Sequence, residues 1–400
     1  MRILICGAGI AGPTLAYWLT RYGFETTIVE KAPKLRTGGY IIDFWGAGLD
    51  IAERMDLLPE LHRKGYIVEE VRVVNRKGKR IAGFSAEVFG RLAGGRYLSL
   101  ARGDLAASIF GRIEGRVETI FGDSVAGVEQ QSKTVRVTFE RAPVREFDLV
   151  IGADGLHSRV RELVFGAPEH FEKYLGYKVA AFEIEGYQPR DELVYVLYTE
   201  VRQQIARFAL RDNRTMSLFT FADDDAGASG NDIHSQKAIL RRRFANSGWE
   251  CPNILEALDD ASDLYFDQVS QVRMDAQPGL WTRGRVSLVG DAAWCVSLLA
   301  GQGSALAMVG AYILAGELYA AGGQHEKAFS RYQELFAPFI RKKQEAALPF
   351  AGFFAPRSKA ALFFRNRILN LMRIPWVANL SFASEFTDKI ALPDYGVPLH

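Results

Sequence analysis

The first thirty residues leave this chain little choice of fold. Residues 2–6, RILIC, form a continuous apolar run of strand length, and GAGIAG follows at once. PTLAYWLTRYGF then carries apolar residues at helical spacing through Leu15, Trp18 and Leu19, and a second apolar run, TTIV, ends at Glu30. Strand, GxGxxG, helix, strand and acid in that order are the fingerprint of a dinucleotide-binding unit. Gly7 permits the tight turn, Gly9 lets the backbone approach a pyrophosphate, and Gly12 lets the helix pack closely on the strand. Around Ile10 and Ala11 the helix start offers free N–H groups and a positive dipole end to phosphates. Glu30, next to Lys31, can accept hydrogen bonds from the hydroxyls of an adenosine ribose. A carboxylate there repels a 2′-phosphate, so the tightly held nucleotide is expected to be FAD or NAD rather than NADP. This motif does not separate those two.

Composition excludes several other chemistries. A formal charge of +2 over 400 residues gives no reason to expect nucleic acid, and the run Arg241-Arg242-Arg243 reads as a solvated helix face. Cys6, Cys251 and Cys295 are far apart and odd in number, which supplies neither a disulfide framework nor a zinc site and fits a reducing cytoplasm. The six histidines include no HExxH, and no GxSxG elbow occurs, so no metal site is expected and hydrolase chemistry is disfavoured. The apolar run at the N-terminus is too short for a signal-peptide core.

Two further segments choose between the nucleotides. EFDLVI, residues 146–151, is an apolar strand after a meander of short strands, and GADGLHSRVR follows from Gly152 to Arg161. RVSLV, residues 285–289, runs into Gly290-Asp291, where an acid past a strand end can accept a hydrogen bond from a polyol such as a ribityl chain. Gly301-Gln302-Gly303 precedes a small-residue helix beginning near Ser304, and such a turn aims N–H groups at an anion. This region is free of charge for about 25 residues, from Ala292 to Gly316, which is long enough to span a bilayer. Asp291, Gln302 and the two glycines are poor for lipid and good for a buried flavin loop, so no transmembrane segment is expected.

GAGIAG with Glu30, then GADGLHSRVR, then GDAAW with GQG, in this order and spacing, resembles the class A flavoprotein monooxygenases of the para-hydroxybenzoate hydroxylase type over residues 1–345. The resemblance implies an α/β fold: a Rossmann-like FAD-binding domain with an inserted β-sheet substrate domain and C-terminal helices. It assigns FAD contacts to Gly7, Gly9, Ile10, Ala11, Gly12, Glu30, Lys31, to Arg102 in LARGDL, to Asp154, and to Asp291, Gly301, Gln302, Gly303 and Ser304. The DG segment also serves transient NADPH binding in that family, which draws in Arg161. GWECPNIL, DLYFDQVSQVRM and VGAYILAGEL are similar to the branch containing tetracycline-inactivating flavin monooxygenases.

The family loop reads GDAAHxxxPxxGQGxNxAxxDA. Here Trp294 replaces the histidine, Leu298 the proline, Ala305 the asparagine and Gly310 the aspartate, although glycine at the last position also occurs in the tetracycline-inactivating branch. Either the loop has drifted compatibly with activity, or these changes alter the chemistry or weaken oxygenation.

The implied boundaries are 1–68, 99–170 and 275–345 for the FAD domain, 69–98 and 171–274 for the substrate domain, and 346–400 for a helical tail. YKVAAFEI, ELVYVLYTE, QQIARFAL and RTMSLFTF alternate with period two, as strands with one packed face do. Tyr195, Tyr198, Arg207, Phe219, Phe221 and Leu298 are candidates for lining the substrate cavity beneath them. Pro349, Pro356 and Pro375 are expected to break the tail into short helices. Its Arg365, Arg367 and Arg373 among apolar residues allow peripheral contact with a membrane surface, though packing over the substrate opening is the favoured reading.

The resemblance implies FAD-dependent hydroxylation of an aromatic or polycyclic small molecule. NADPH or NADH would be the transient donor and dioxygen the oxidant, acting through a flavin C4a-hydroperoxide. A flavin reductase or oxidase without oxygen insertion, or a flavin-binding protein without turnover, are the alternatives. No residue stands out as a general base.

Overall fold

In a computed structural model the chain is described for residues 1–396 apart from 37, 227–231, 276, 278, 373, 375 and 378–389, with side chains omitted at 349–351. The apolar runs Arg2–Cys6, Glu25–Glu30, Leu149–Gly152 and Val286–Leu288 pair in parallel, in the spatial order 286–288, 149–152, 2–6, 25–30, and Glu118–Phe121 extends the sheet in parallel beside 25–30. Antiparallel Thr282–Arg283 closes the other edge. The central strands Arg2–Cys6 and Leu149–Gly152 are buried apolar runs because both of their faces are covered, as parallel sheets require. Helix Ala11–Arg21 packs on the sheet and against helix Gly303–Ala320, with Leu15, Trp18 and Leu19 buried. Of the expected meander RVETIF, SVAGVE and KTVRVTFE, the first strand joins the parallel sheet as Glu118–Phe121, while Val125–Gln130 and Val135–Phe139 form a separate antiparallel sheet with Arg145–Phe147.

A second layer is a seven-stranded sheet in the order 265–272, 172–185, 214–222, 203–209, 194–200, 70–74, 80–85. Two distant passages of chain meet in it where Val194–Glu200 runs parallel to Glu70–Val74. Its alternating residues sort cleanly between two faces. Tyr198, Ile205, Phe219, Phe221 and Phe266 pack under helices Ile233–Phe244 and Cys251–Ala257. Tyr195, Leu197, Phe208, Leu218 and Tyr265 turn towards the parallel-sheet domain and the C-terminal helices.

Helix Gly303–Ala320 is, among the described residues, the helix long and apolar enough to cross a membrane, yet it is mostly buried inside the fold. Its apolar surface is used against helices Ala11–Arg21, Ala47–Arg54 and His325–Phe354. The last of these runs for 30 residues straight through Pro349, contrary to the expected break there. One lost backbone hydrogen bond does not end a helix already anchored by buried Phe329, Tyr332, Phe336 and Ile340. A shorter helix, Lys359–Leu371, begins after Pro356 with Ser358 accepting from the Ala361 N–H at 3.2 Å. Arg373 and Pro375 lie outside the described residues.

Candidate active site

The three glycine-bearing turns meet because their strands are neighbours. Gly7 sits at φ +108°, and a Cβ there would lie 2.5 Å from the Ala153 carbonyl oxygen. A Cβ on Gly12 would collide with the Gly7 carbonyl, and one on Gly290 would come within 2.9 Å of the Ala11 methyl. These close approaches demand glycine, and they bring the first turn against the other two at the carboxyl ends of the parallel strands. Gly9 is different: a Cβ there would meet nothing nearer than Arg102 Nη2 at 3.7 Å, which leaves backbone open to a ligand beside a guanidinium.

Glu30, buried at the end of its strand, accepts from the Ala8 N–H at 2.7 Å and the Ala32 N–H at 2.9 Å. Its carboxylate is thereby fixed at the glycine turn, with exposed Arg36 3.6 Å away and Lys31 on the surface. Ile10 and Ala11 are buried at the start of the first helix. Asp291 projects from the third turn beside the Cys295 thiol, and burial raises its carboxyl pKa while Arg102 partly counters that shift. Gly301 adopts the left-handed conformation with open space around its Cβ position, and Gln302, buried, precedes the 18-residue helix that Gly303 and Ser304 begin. Open glycine backbone, an acid for a ribose, an arginine and an acid beside the cradle, and a helix start at its far end fit FAD.

The second segment behaves differently from its expected role. Asp154, raised in pKa by burial, accepts from Ser158 Oγ at 2.5 Å and the Val160 N–H at 3.1 Å, so its carboxylate caps the helix that follows. Arg161 is almost wholly buried. It donates to the carbonyls of Leu156 (2.7 Å) and Ala292 (3.0 Å) and to Glu172 Oε1 (2.5 Å), tying the second turn to the third and to the large sheet. This packing does not leave Arg161 free for a passing NADPH. His157 makes a second bridge, 3.1 Å from Asp267 and 3.6 Å from Glu172, and the two carboxylates push its pKa up to about 10.

Above the turns, the inner face of the large sheet contributes Tyr265 and Asp267, and the Tyr40 ring packs 5.3 Å from that of Tyr265. Burial raises the Tyr40 hydroxyl to about 12, so it remains a neutral donor. Tyr195 also faces inward: its hydroxyl reaches Asp43 Oδ1 at 3.3 Å, on which Tyr97 (2.6 Å) and Ser99 (2.5 Å) converge. Asp43 and Gln302 line one small cavity with Trp45, Ala305 and Phe339. Leu298 packs under the sheet with Val179, Leu218, Tyr265 and Phe354.

The other four candidates for the cavity lie on the far face. Tyr198, Phe219 and Phe221 are core residues beneath the outer helices. Arg207 is held there by Glu250 (2.6 Å) and Asp191 (2.6 Å). Tyr195 and Tyr198, three apart on one strand, point to opposite faces by necessity. Trp294 is likewise turned away from the cleft, into a cluster with Trp281, Tyr332 and Phe336 at ring distances of 4.5–5.9 Å. Tyr40, Asp43, Tyr265 and Asp267 escaped the sequence reading because no motif marks them; only the sheet register and the fold bring them together.

Residues 1–342 match the family described as an FAD binding domain. The chain belongs to the FAD-dependent monooxygenases of this family. A flavin-dependent monooxygenase of Legionella longbeachae is 35% identical over 397 residues, covering 99% of this chain and 98% of its own. An uncharacterised protein of Mycobacterium tuberculosis is 39% identical over 343 residues, 86% of this chain and 91% of that one. Among solved structures, the tetracycline destructase Tet(51) superposes with a TM-score of 0.82 at 34% identity, over 98% of this chain and 99% of that one. Klebsiella pneumoniae HpxO, in complex with FAD and uric acid, shares the fold at 21% identity and a TM-score of 0.79. These likenesses place the protein near the tetracycline-inactivating branch of the class A monooxygenases.

Proposed function

We propose that this flavoprotein hydroxylates a polycyclic or phenolic small molecule, with NAD(P)H as transient electron donor and dioxygen as oxidant. One observation carries the reading: the inner face of the large sheet sets Tyr195 and Tyr265, with Tyr40 packed against Tyr265, over the turns bearing Asp291 and Gln302. An aromatic roof with few polar groups suits a large planar ligand, since apolar walls with sparse, placed polar groups are how such sites bind. The tetracycline destructases are a solved example of similar architecture.

Bound FAD would supply the passage of electrons from NAD(P)H to dioxygen and the transfer of an oxygen atom. Gly7, Gly9, Gly12, Glu30 and Arg102 would hold its adenosine and pyrophosphate portion, and Asp291 would accept from its polyol chain. N–H groups at the start of helix Gly303–Ala320 would favour negative charge beside Gln302. Leu218 and Tyr265 exclude water from the space between sheet and turns. Asp43, whose carboxyl burial pushes above its ordinary value while three hydroxyls donate to it, is placed to take a proton from a phenol through the Tyr195 hydroxyl.

The test is NADPH oxidation by the FAD-loaded protein in labelled dioxygen, with tetracycline and a set of phenols. Substrate-stimulated oxidation with label in the product supports the reading. Stimulated oxidation with all label released as peroxide or water would favour an oxidase.

A further inference from the structure

Helix Lys359–Leu371 packs the opposite way from what its composition suggests. Phe363, Phe364, Ile368 and Leu371 are 41–64% exposed, whereas Arg365, on the inward side with Leu369, is only 4% exposed. Its guanidinium reaches the inner face of the large sheet. Nη2 donates to Gln204 Oε1 at 2.8 Å, and Nη1 donates to Thr199 Oγ1 at 3.1 Å and to Asn366 Oδ1 at 3.3 Å. The Phe353 ring lies 5.1 Å from the guanidinium carbon. Nε is buried with no acceptor, and among the described residues no carboxylate pairs with this cation. Burial alone draws its pKa down to about 10, so the group stays charged at neutral pH.

A buried charge whose partners are all neutral is costly, and a fold that needed only packing here would be served better by Met or Leu. The neighbourhood is also short of one acceptor and one donor. Thr220, register partner of Gln204 on the next strand, has a buried hydroxyl without a partner. Thr199, Gln204 and Thr220 share the sheet face that Leu218 and Tyr265 present to Leu298, so this polar strip is continuous with the roof of the cleft. A guanidinium fork with a free Nε–H matches a planar oxyanion, which takes two parallel hydrogen bonds from it.

We propose that Arg365 is a substrate-recognition residue that pairs with a planar oxyanion, such as a ring carboxylate, on the molecule bound beneath the sheet. Gln204 and the Thr220 hydroxyl flank that anion. The assignment rests on reading the space between sheet and turns as the substrate site. It makes the enzyme selective for acidic polycycles over neutral ones of equal shape.

The experiment compares 1-hydroxy-2-naphthoic acid with its carboxamide, two probes of nearly equal size that differ in charge. Each is titrated into the full-length FAD-loaded protein, and binding is read from the flavin absorption spectrum. Wild type should bind the acid about ten-fold or more tighter than the amide, a difference typical of one desolvated charge pair. Arg365→Met should bring that ratio close to one, while Arg365→Lys keeps part of it. Melting temperature separates the roles: removal of an unpaired buried charge should leave it unchanged or higher in Arg365→Met. If that variant does not fold, Arg365→Gln serves for the same ratio. No acid preference in wild type, including no binding of either probe, overturns the proposal. So does a preference that survives in Arg365→Met, whatever its melting temperature. Oxygen incorporation from labelled dioxygen is measured on the same preparation with other phenols, so the monooxygenase reading can stand or fall separately.

Discussion

The indole of Trp294 occupies the place where a side chain on Gly310 would be: a Cβ there would lie 2.6 Å from Trp294 Cζ2 and 3.0 Å from Phe336 Cε1. Trp294 and Gly310 are therefore sterically coupled: the large ring fits only because position 310 carries no side chain. A second pair follows the same logic. Gly48 lies so close to Ala305 that a side chain on Gly48 would collide with it, so helices Ala47–Arg54 and Gly303–Ala320 touch there through their backbones. Gly310→Ala should cost about 1–3 kcal/mol by overpacking. Trp294→His should rescue much of it, so that the double variant is less destabilised than the sum of the singles. Thermal melts of the four proteins measure the coupling, and additive losses would contradict it.

Glu30 should be decisive for cofactor retention. In the folded chain its carboxylate takes two backbone N–H groups, leaving lone pairs for ribose hydroxyls. Replacement by Ala removes charge-assisted bonds of about 1.5–3 kcal/mol each, so FAD affinity should fall by roughly ten-fold to a few hundred-fold. Equilibrium dialysis of FAD provides the measurement; an unchanged dissociation constant would remove Glu30 from the ribose site.

His157 predicts a pH dependence of stability. Its folded pKa, about 10, stands above the ordinary 6.5 because Asp267 and Glu172 favour the protonated ring. Folding therefore binds the proton more tightly. The stabilisation is complete below about pH 6.5, declines as pH rises, and is gone once the pH passes through 10. Since the imidazole is 58% exposed, solvent screening keeps the effect small. The melting-temperature gap between wild type and His157→Gln should be constant at pH 5.5–6.5 and shrink steadily towards pH 10. A gap that widens with pH would reverse the sign of this account.

Leu298 should govern how much oxygen is wasted. It opens a short 3-10 turn, Leu298–Ala300, whose closing bond is donated by Gly301 to the Leu298 carbonyl at 3.2 Å. That turn does not require the Leu298 N–H, so proline there would cost it no hydrogen bond and would fix φ near −65°. A leucine with free φ leaves the loop less rigid and more open to water, so peroxide should be released in excess of product. Leu298→Pro should lower peroxide formed per NADPH consumed with the same substrate; a folded variant that leaks more would refute this role.

What the sequence made legible was local. Gly7, Glu30, Asp291 and Gln302 announce themselves because the turn, the strand and the helix that position them are contiguous with them. The aromatic roof was legible only as strands. Period two says that Tyr195 and Tyr198 face apart, but not which of them faces the flavin domain, and that depends on helices Ile233–Phe244 and Cys251–Ala257 covering one side. Arg161 and Arg365 show the same limit for charge. Each looks like a surface arginine in the sequence, and each is buried by an element distant in the chain.

The large sheet is sewn from two passages, 70–85 and 172–272, joined where Glu70–Val74 runs beside Val194–Glu200. A roof made from one passage could be cut out and exchanged as a cassette. This one cannot, because a crossover on either side of it would leave an edge strand without its neighbour. Changes of substrate in proteins built this way must therefore come residue by residue, at every second position of the inward face.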